Sequence, residues 1–504
     1  MGVPPDGVRG RPGGAPMLLA VDQGTSATKA VLLTTSGTVL ATASAPLTTA
    51  HPRPGWVEQS ADEVWESVVA AIRACLVGQD AARVAAVALS TQRESCLLWE
   101  RATGRPLGPL LGWQDRRTAD VHARLSADGA GPGVRAATGL PLDPMFSALK
   151  AGWLLDAHDP ARAGARRGEL CLGTVDSWLL WRLSGGAGHV VEVGNASRTQ
   201  LLNVHTRTWD GELLDLFGIP RAVLPRVVPS TGPFPAVRGL APLPDGTPVA
   251  AVLGDSHAAL YGHGVRAPGQ VKATYGTGSS VMGLTTGARA VGDALCLTLA
   301  WDDGAPAYAL EGNIRSSGAT LRWLAGLLGV DETELAARAA EDSGGVHLVP
   351  AFGGLAAPWW DNDATGLVTG LTLGTGMPQL ARAALESIAF QVEDVIAAMD
   401  RATGPVSLVH ADGGPTANPA LMRLQADTSG RTVRRPHAGN LSALGAARLA
   451  ARALDLPEPP PPTAADLHRP RSTPEARAAL RAGWHAAVAR SRRPAGGAGE
   501  EVPG

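Results

Sequence analysis

Cysteine is scarce in this chain of 504 residues, and the four present, Cys75, Cys96, Cys171 and Cys296, are scattered. They form no CxxC pair and have no close histidine partner, which excludes a disulfide framework or zinc site and reads as buried free thiols in a reducing compartment. Long apolar runs are also missing. Every apolar stretch is broken by Gly, Pro or charge well short of the ~18 residues of a membrane helix, so none is expected. Excess charge of either sign is absent, at a formal net charge of −2, and no basic block is interleaved with aromatics. A nucleic-acid partner is therefore not expected. Residues 1–16, MGVPPDGVRGRPGGAP, lack the apolar core of a secretory signal and read as a disordered leader ahead of Met17, a second candidate start. Together these absences predict a cytoplasmic protein. Its length predicts two domains or more, each with a sizeable core.

What is present centres on Leu18 to Leu33, LLAVDQGTSATKAVLL. Two apolar strands flank a polar tip in which Gly24 permits close backbone approach. Thr25, Ser26, Ala27 and Thr28 offer amides and hydroxyls to phosphate oxygens, Lys29 supplies positive charge, and Asp22 stands where it can hold a magnesium-bound water. A solvated hairpin turn explains the same residues. Thr274-Tyr-Gly-Thr-Gly278 repeats this chemistry and predicts a duplicated fold closing on one phosphate chain from both sides.

Between the tips, Thr38–Ala45 reads as a third strand, Ser60 as the N-cap of a helix with Val64, Val68, Ala71, Ile72 and Cys75 buried, and Val84–Ser90 as a buried strand. Gln92-Arg93-Glu94-Ser95 follows that strand's end, a usual ligand position in an open α/β sheet, and Trp113-Gln114-Asp115-Arg116-Arg117 adds an aromatic wall. Surface ion pairs explain both stretches equally well. Asp255, where the strand Pro248–Leu253 meets a helix, is either a cap or a base aimed into a cleft. Further on, Gly318–Leu328 and Pro378–Met399 read as helices, Val346–Ala351 and Val406–Ala411 as strands. Asp412-Gly-Gly-Pro-Thr-Ala-Asn418 provides glycines on which a flat ring can lie and Asn418 to hydrogen-bond it; a strand-to-helix turn that needs Gly for its geometry explains the same residues. After the proline-rich linker 457–462, a last helix is expected from Thr473, with Leu480, Trp484 and Val488 on its buried side. The tail from Arg493 reads as disordered.

In this order DQGTSATK, TQRES, GWQDRRT, TGLPLDPMFSALK, GTVDSWLLW, NASRTQLLN, LFGIP, GDSHAAL, TYGTG, LVPAFGGLAAPWW and ARAALESIAFQ resemble the FGGY carbohydrate kinases, most of all the glycerol kinase branch, over roughly Met17 to Leu454. The resemblance implies an α/β architecture of two actin-like (ribonuclease-H-like) domains with ATP and substrate in the cleft between them. The expected boundaries are 17–263 and 264–455, with linker, terminal helix and tail over 456–504. It implies phosphoryl transfer from ATP, with Mg2+, to a hydroxyl of a polyol or sugar. Asp255 matches the base. Asp22 matches the metal position, and Thr25, Ser26, Ala27 and Lys29 the first phosphate loop. Thr277, Gly318, Gly414 and Asn418 match nucleotide positions. Arg93, Glu94, Trp113, Met145, Asp255 and Ser256 match acceptor positions.

Departures cluster around the acceptor. Ser256 replaces a glutamine, Met145 a tyrosine, Ser280 an aromatic wall residue and Lys29 an arginine of that branch. They predict a wider, differently polar pocket for an acceptor larger than glycerol. Glycerol itself remains the close alternative, a non-catalytic nucleotide-dependent regulator is the alternative of another class, and homo-oligomer formation stays open.

Overall fold

The computed structural model describes residues 15–288 and 292–492. Most of the expected leader and the tail from Arg493 lie outside the described residues. In the first half β1 (Met17–Gln23), β2 (Ala27–Thr34) and β3 (Val39–Pro46) form an antiparallel meander. On its other edge β1 pairs in parallel with β4 (Val84–Thr91), which pairs in parallel with β5 (Val249–Gly254). Leu18 to Val21 have no exposed surface, as an unbroken apolar run requires of a strand covered on both faces.

The second half repeats the arrangement with β6 (Gln270–Tyr275), β7 (Ser279–Thr285), β8 (Pro306–Ile314), β9 (Leu408–Asp412) and β10 (Thr432–Pro436). β6, β7 and β8 are antiparallel neighbours, and β6 runs parallel to β9 and β9 to β10. The spatial order β5-β4-β1-β2-β3 is thus matched by β10-β9-β6-β7-β8, with one further strand on each outer edge. This repeated ribonuclease-H-type topology places the two polar tips, β1–β2 and β6–β7, at equivalent points. Duplication that sequence identity between the halves was too weak to prove is plain in strand order and sense.

Helices follow their local signals. α1 (Ala61–Cys75) begins after Ser60, whose hydroxyl accepts from the Glu63 amide at 3.3 Å, and buries Val64, Val68, Ala71, Ile72 and Cys75. α2 (Asp255–Gly262) leaves the end of β5. In the second half come α3 (Gly318–Leu328), α4 (Met377–Thr403), α5 (Pro419–Ser429), α6 (Leu441–Ala453) and α7 (Pro474–Ser491). Thr473 caps α7 as expected, yet Leu480 is 38% exposed. The buried stripe is Trp484, Ala487, Val488 and Ser491, because Trp484 stacks on Phe390 of α4 and donates to Asp394 at 2.7 Å, and those two contacts set the helix's rotation. The strand expected over Val346–Ala351 is shorter, His347–Val349, and pairs with Leu367–Thr369.

α2 and α6 each follow the last of the five repeated strands in their half, and they pack against one another. Glycine makes this possible: a Cβ on Gly445 would lie 1.8 Å from the Ala258 carbonyl oxygen, and one on Gly262 2.3 Å from that of Leu441. Gly445→Val is expected to force the helices apart at a cost of at least about 1–3 kcal/mol. A thermal melt checks this, and an unchanged Tm would show that the contact yields freely.

Candidate active site

The first tip projects from the sheet between β1 and β2. Its turn is closed by the Gly24 amide donating to the Ala27 carbonyl at 3.1 Å, and the Thr25 hydroxyl accepts from Trp113 Nε1 at 3.2 Å. Ser26 and Lys29 stay exposed, whereas Thr28 turns inward to Ser67 at 2.6 Å. Asp22, directly across the ladder from Lys29, accepts from Ser90 Oγ at 2.7 Å. Burial pushes its pKa up to about 6; Ser90 and Lys29 oppose that rise, and the nearby Asp255 adds to it.

Asp255 is the first residue of α2. Gly254 holds the N-cap position, and the Asp255 carboxylate accepts from the Ser256 amide at 2.6 Å rather than capping with its own side chain the turn behind it. Its side chain remains 40% open and meets Arg93 Nε at 3.2 Å. Removal from bulk water raises its pKa, Arg93 lowers it and Glu94 raises it.

The heads of Arg93 and Glu94 are already engaged by protein. The Arg93 fork donates to both oxygens of Glu311 on β8, at 2.9 and 2.6 Å. Arg198 donates to Glu94 at 2.6 Å and also meets Glu311 at 2.9 Å. Glu94 sits at φ 62, so its side chain leaves the strand end at an angle an extended residue would not give. Ser280 donates to Glu311 at 3.0 Å, and the fully buried His257 lies 3.5 Å from Arg93. The two guanidiniums hold the Glu311 carboxyl well below the usual range, against the opposing effect of burial.

Sequence reasoning missed Arg198, Glu311 and Lys272. Arg198 lay inside a quoted motif without a role, and Glu311 follows an apolar strand with nothing to mark it. Composition held a usable signal for the third. The chain has three lysines, Lys29, Lys150 and Lys272, and the last two have no exposed surface. Lys150 donates to the Met145 carbonyl at 2.5 Å, while the Lys272 ammonium has no hydrogen-bond partner among the described residues. Burial lowers the Lys272 pKa; Asp412, Glu311 and Asp255 oppose this. Met145 itself packs with Leu140, Phe146, Cys296 and Trp360.

The second tip is bound to the start of α3. Gly276 O accepts from the Gly318 amide at 2.9 Å, and Thr277 O accepts from the Ser317 and Ala319 amides at 2.9 and 3.0 Å. Gly318 lies against Pro415, so Thr277, Gly318 and Gly414 share one wall. Gly413 has φ 96 and its Cβ would lie 1.9 Å from the Tyr275 carbonyl oxygen, while Gly414 faces open space. Asn418 caps α5, its side-chain oxygen accepting from the Ala420 and Leu421 amides, which leaves the carboxamide nitrogen for another partner.

Models of the N- and C-terminal domains of the FGGY family of carbohydrate kinases match residues 17–262 and 271–454. The chain belongs to that family. It is 46% identical over 443 residues to the glycerol kinase of Geobacter sp., covering 86% of this chain and 89% of that one. It is 42% identical over 489 residues to the apulose kinase of Pectobacterium atrosepticum, covering 95% and 98%. The solved structure of Plasmodium falciparum glycerol kinase with ADP superposes with a TM-score of 0.86 at 25% identity, over 95% of this chain and 98% of that one. The FGGY chain described here is thus an ATP-dependent kinase of polyol or sugar hydroxyls. A cavity of about 620 Å³, lined by residues such as Arg135, Pro141 and Leu297, does not include Asp255 in its lining.

Arg198→Met would leave Glu94 and Glu311 short of a buried counter-charge. A destabilisation of about 3–5 kcal/mol is expected, measurable by urea denaturation; a loss under 1 kcal/mol would mean that water or Arg93 replaces Arg198.

Proposed function

We propose that Asp255 is the general base of this kinase and that its acceptor is a polyol or sugar larger than glycerol. The carrying observation is the position of Asp255: partly open to the cleft, at the start of α2, and held by Arg93 Nε at 3.2 Å. An alcohol is far too weak an acid to ionise at neutral pH, so the base accepts the proton as the bond to phosphorus forms. Arg93 is in ion-pair contact with the carboxylate, and Glu94, whose other oxygen is not engaged by Arg198, can accept from a substrate hydroxyl.

The tips Thr25–Lys29 and Thr274–Gly278 supply backbone amides, hydroxyls and the Lys29 charge to the phosphates of ATP. Gly318, Gly414 and Asn418 form the nucleotide side. Among the described residues no group of three or more His, Cys, Asp or Glu is placed to hold a metal alone. This fits magnesium, which is commonly held by one or two carboxylates together with substrate phosphates. Asp22 would provide that carboxylate, and the ion would neutralise charge on the transferring phosphoryl group. Closing the cleft would exclude water as a competing acceptor.

Ser280 supports the larger acceptor. It places a hydroxyl, turned toward Glu311, where the glycerol kinase branch has an aromatic ring. Met145 brings a thioether where that branch has a phenol. The named relatives include a glycerol kinase and an apulose kinase, which keeps glycerol as the second reading.

ADP release measured over glycerol and four- to six-carbon polyols and ketoses should be highest for an acceptor longer than three carbons. Glycerol turned over best would overturn the size assignment, and no turnover would overturn the kinase reading. Asp255→Asn should lower kcat about 10²–10⁴-fold. The base works ionised and burial raises its pKa, so kcat/KM should fall as pH drops through a value above the ~3.9 of ordinary aspartate. A flat profile down to that value would exclude Asp255 as the base.

A further inference from the structure

We infer that Glu311 is a positioning residue for the acceptor, supplied with Ser280 by the second half of the chain to a site whose base and other charged groups come from the first. This rests on the proposed roles of Asp255 and Arg93. Arg93, Glu94, Arg198 and Asp255 all come from the first half, and Glu311 crosses to them from β8. Its two oxygens accept from Arg93 at 2.9 and 2.6 Å and from Ser280 at 3.0 Å, one of them is in ion-pair contact with Arg198 at 2.9 Å, and the residue has no exposed surface. A planar guanidinium gripped through both terminal nitrogens has one orientation left. Glu311 therefore decides that Arg93 presents its Nε edge to Asp255. Through Arg198, which also holds Glu94, the same carboxylate sets the second acceptor group.

Charge gives Glu311 a second effect. The groups acting on Asp255 are Arg93, Glu94, Lys272 and Asp22. Those acting on Glu311 are Arg198, Arg93, His257, Lys272 and Cys296. With Glu311 present, much of the Arg93 charge is spent on it. Neutralising Glu311 leaves Arg93 to act on Asp255 and Glu94 and makes the base more acidic.

Glu311→Gln and Glu311→Asp are compared with the wild type, using as acceptors glycerol and whichever of the four- to six-carbon polyols and ketoses the wild type turns over fastest. Glu311→Gln should raise KM for the acceptor tenfold or more with KM for ATP within twofold, and should move the acid limb of kcat/KM down by roughly 0.5–1 pH unit. Glu311→Asp keeps the charge on a shorter arm, so it should raise the acceptor KM and leave the acid limb in place. Parallel losses for ATP and acceptor with an unmoved acid limb would show a purely structural residue and overturn the inference. Should Glu311→Gln fail to fold, an unchanged acceptor KM in Glu311→Asp overturns it and a raised one supports it. A wild-type protein inactive on both acceptors would overturn the inference together with the kinase reading, whereas an active wild type with unaffected variants overturns the inference alone.

Discussion

The geometry of this molecule depends on the contact between α2 and α6. α2 is a rod of eight residues that does two things at once. Its first residue is Asp255, and its last turn lies against α6 so closely that only glycine fits at Gly262 and Gly445. Just past its end His263 meets Asp412, the residue before Gly413 and Gly414, at 2.6 Å. One short helix therefore relates the carboxylate read as the base, the boundary between the halves and the start of the loop proposed for the nucleotide. Any shift of one half against the other is transmitted along it, because a close-packed contact without side chains has little slack.

The charges around Asp255 follow from the same constraint. Glu94, Arg198, Glu311 and Arg93 are buried, where a lone ion costs several kcal/mol. The chain answers with an alternation of Glu94, Arg198, Glu311, Arg93 and Asp255, each touching the next. Such a network adds little net stability over apolar packing, but each partner's absence is costly and the geometry is single-valued. That suits a site that must hold a hydroxyl in one orientation.

Much of this was legible in the residues. Strands that are continuous apolar runs, the cap at Ser60, the helix Gly318–Leu328 and both polar tips carry local signals, and local signals survive folding. Asp255 was ambiguous from its neighbours alone, since strand-to-helix junctions favour acids for capping as well. What stayed hidden depends on register between distant strands. Glu311 matters because β8 lies two strands from β6 and opposite Arg93, 218 positions away in sequence. No periodicity encodes that. Leu480 failed in the other direction: its spacing from Trp484 and Val488 fits a buried stripe, but the Trp484–Asp394 bond turned the helix and left it outside.

The shortage of lysine has a chemical consequence. With Lys150 and Lys272 enclosed, Lys29 in the phosphate tip is the lone lysine ammonium that solvent can reach. An amine-selective reagent applied to the folded protein thus meets, beyond the chain's own amino terminus, a single amine, and on the proposed reading a bound nucleotide would shield it. Arginine carries nearly all the positive charge of this chain, and that choice leaves the first tip with a reactivity no other exposed side chain shares.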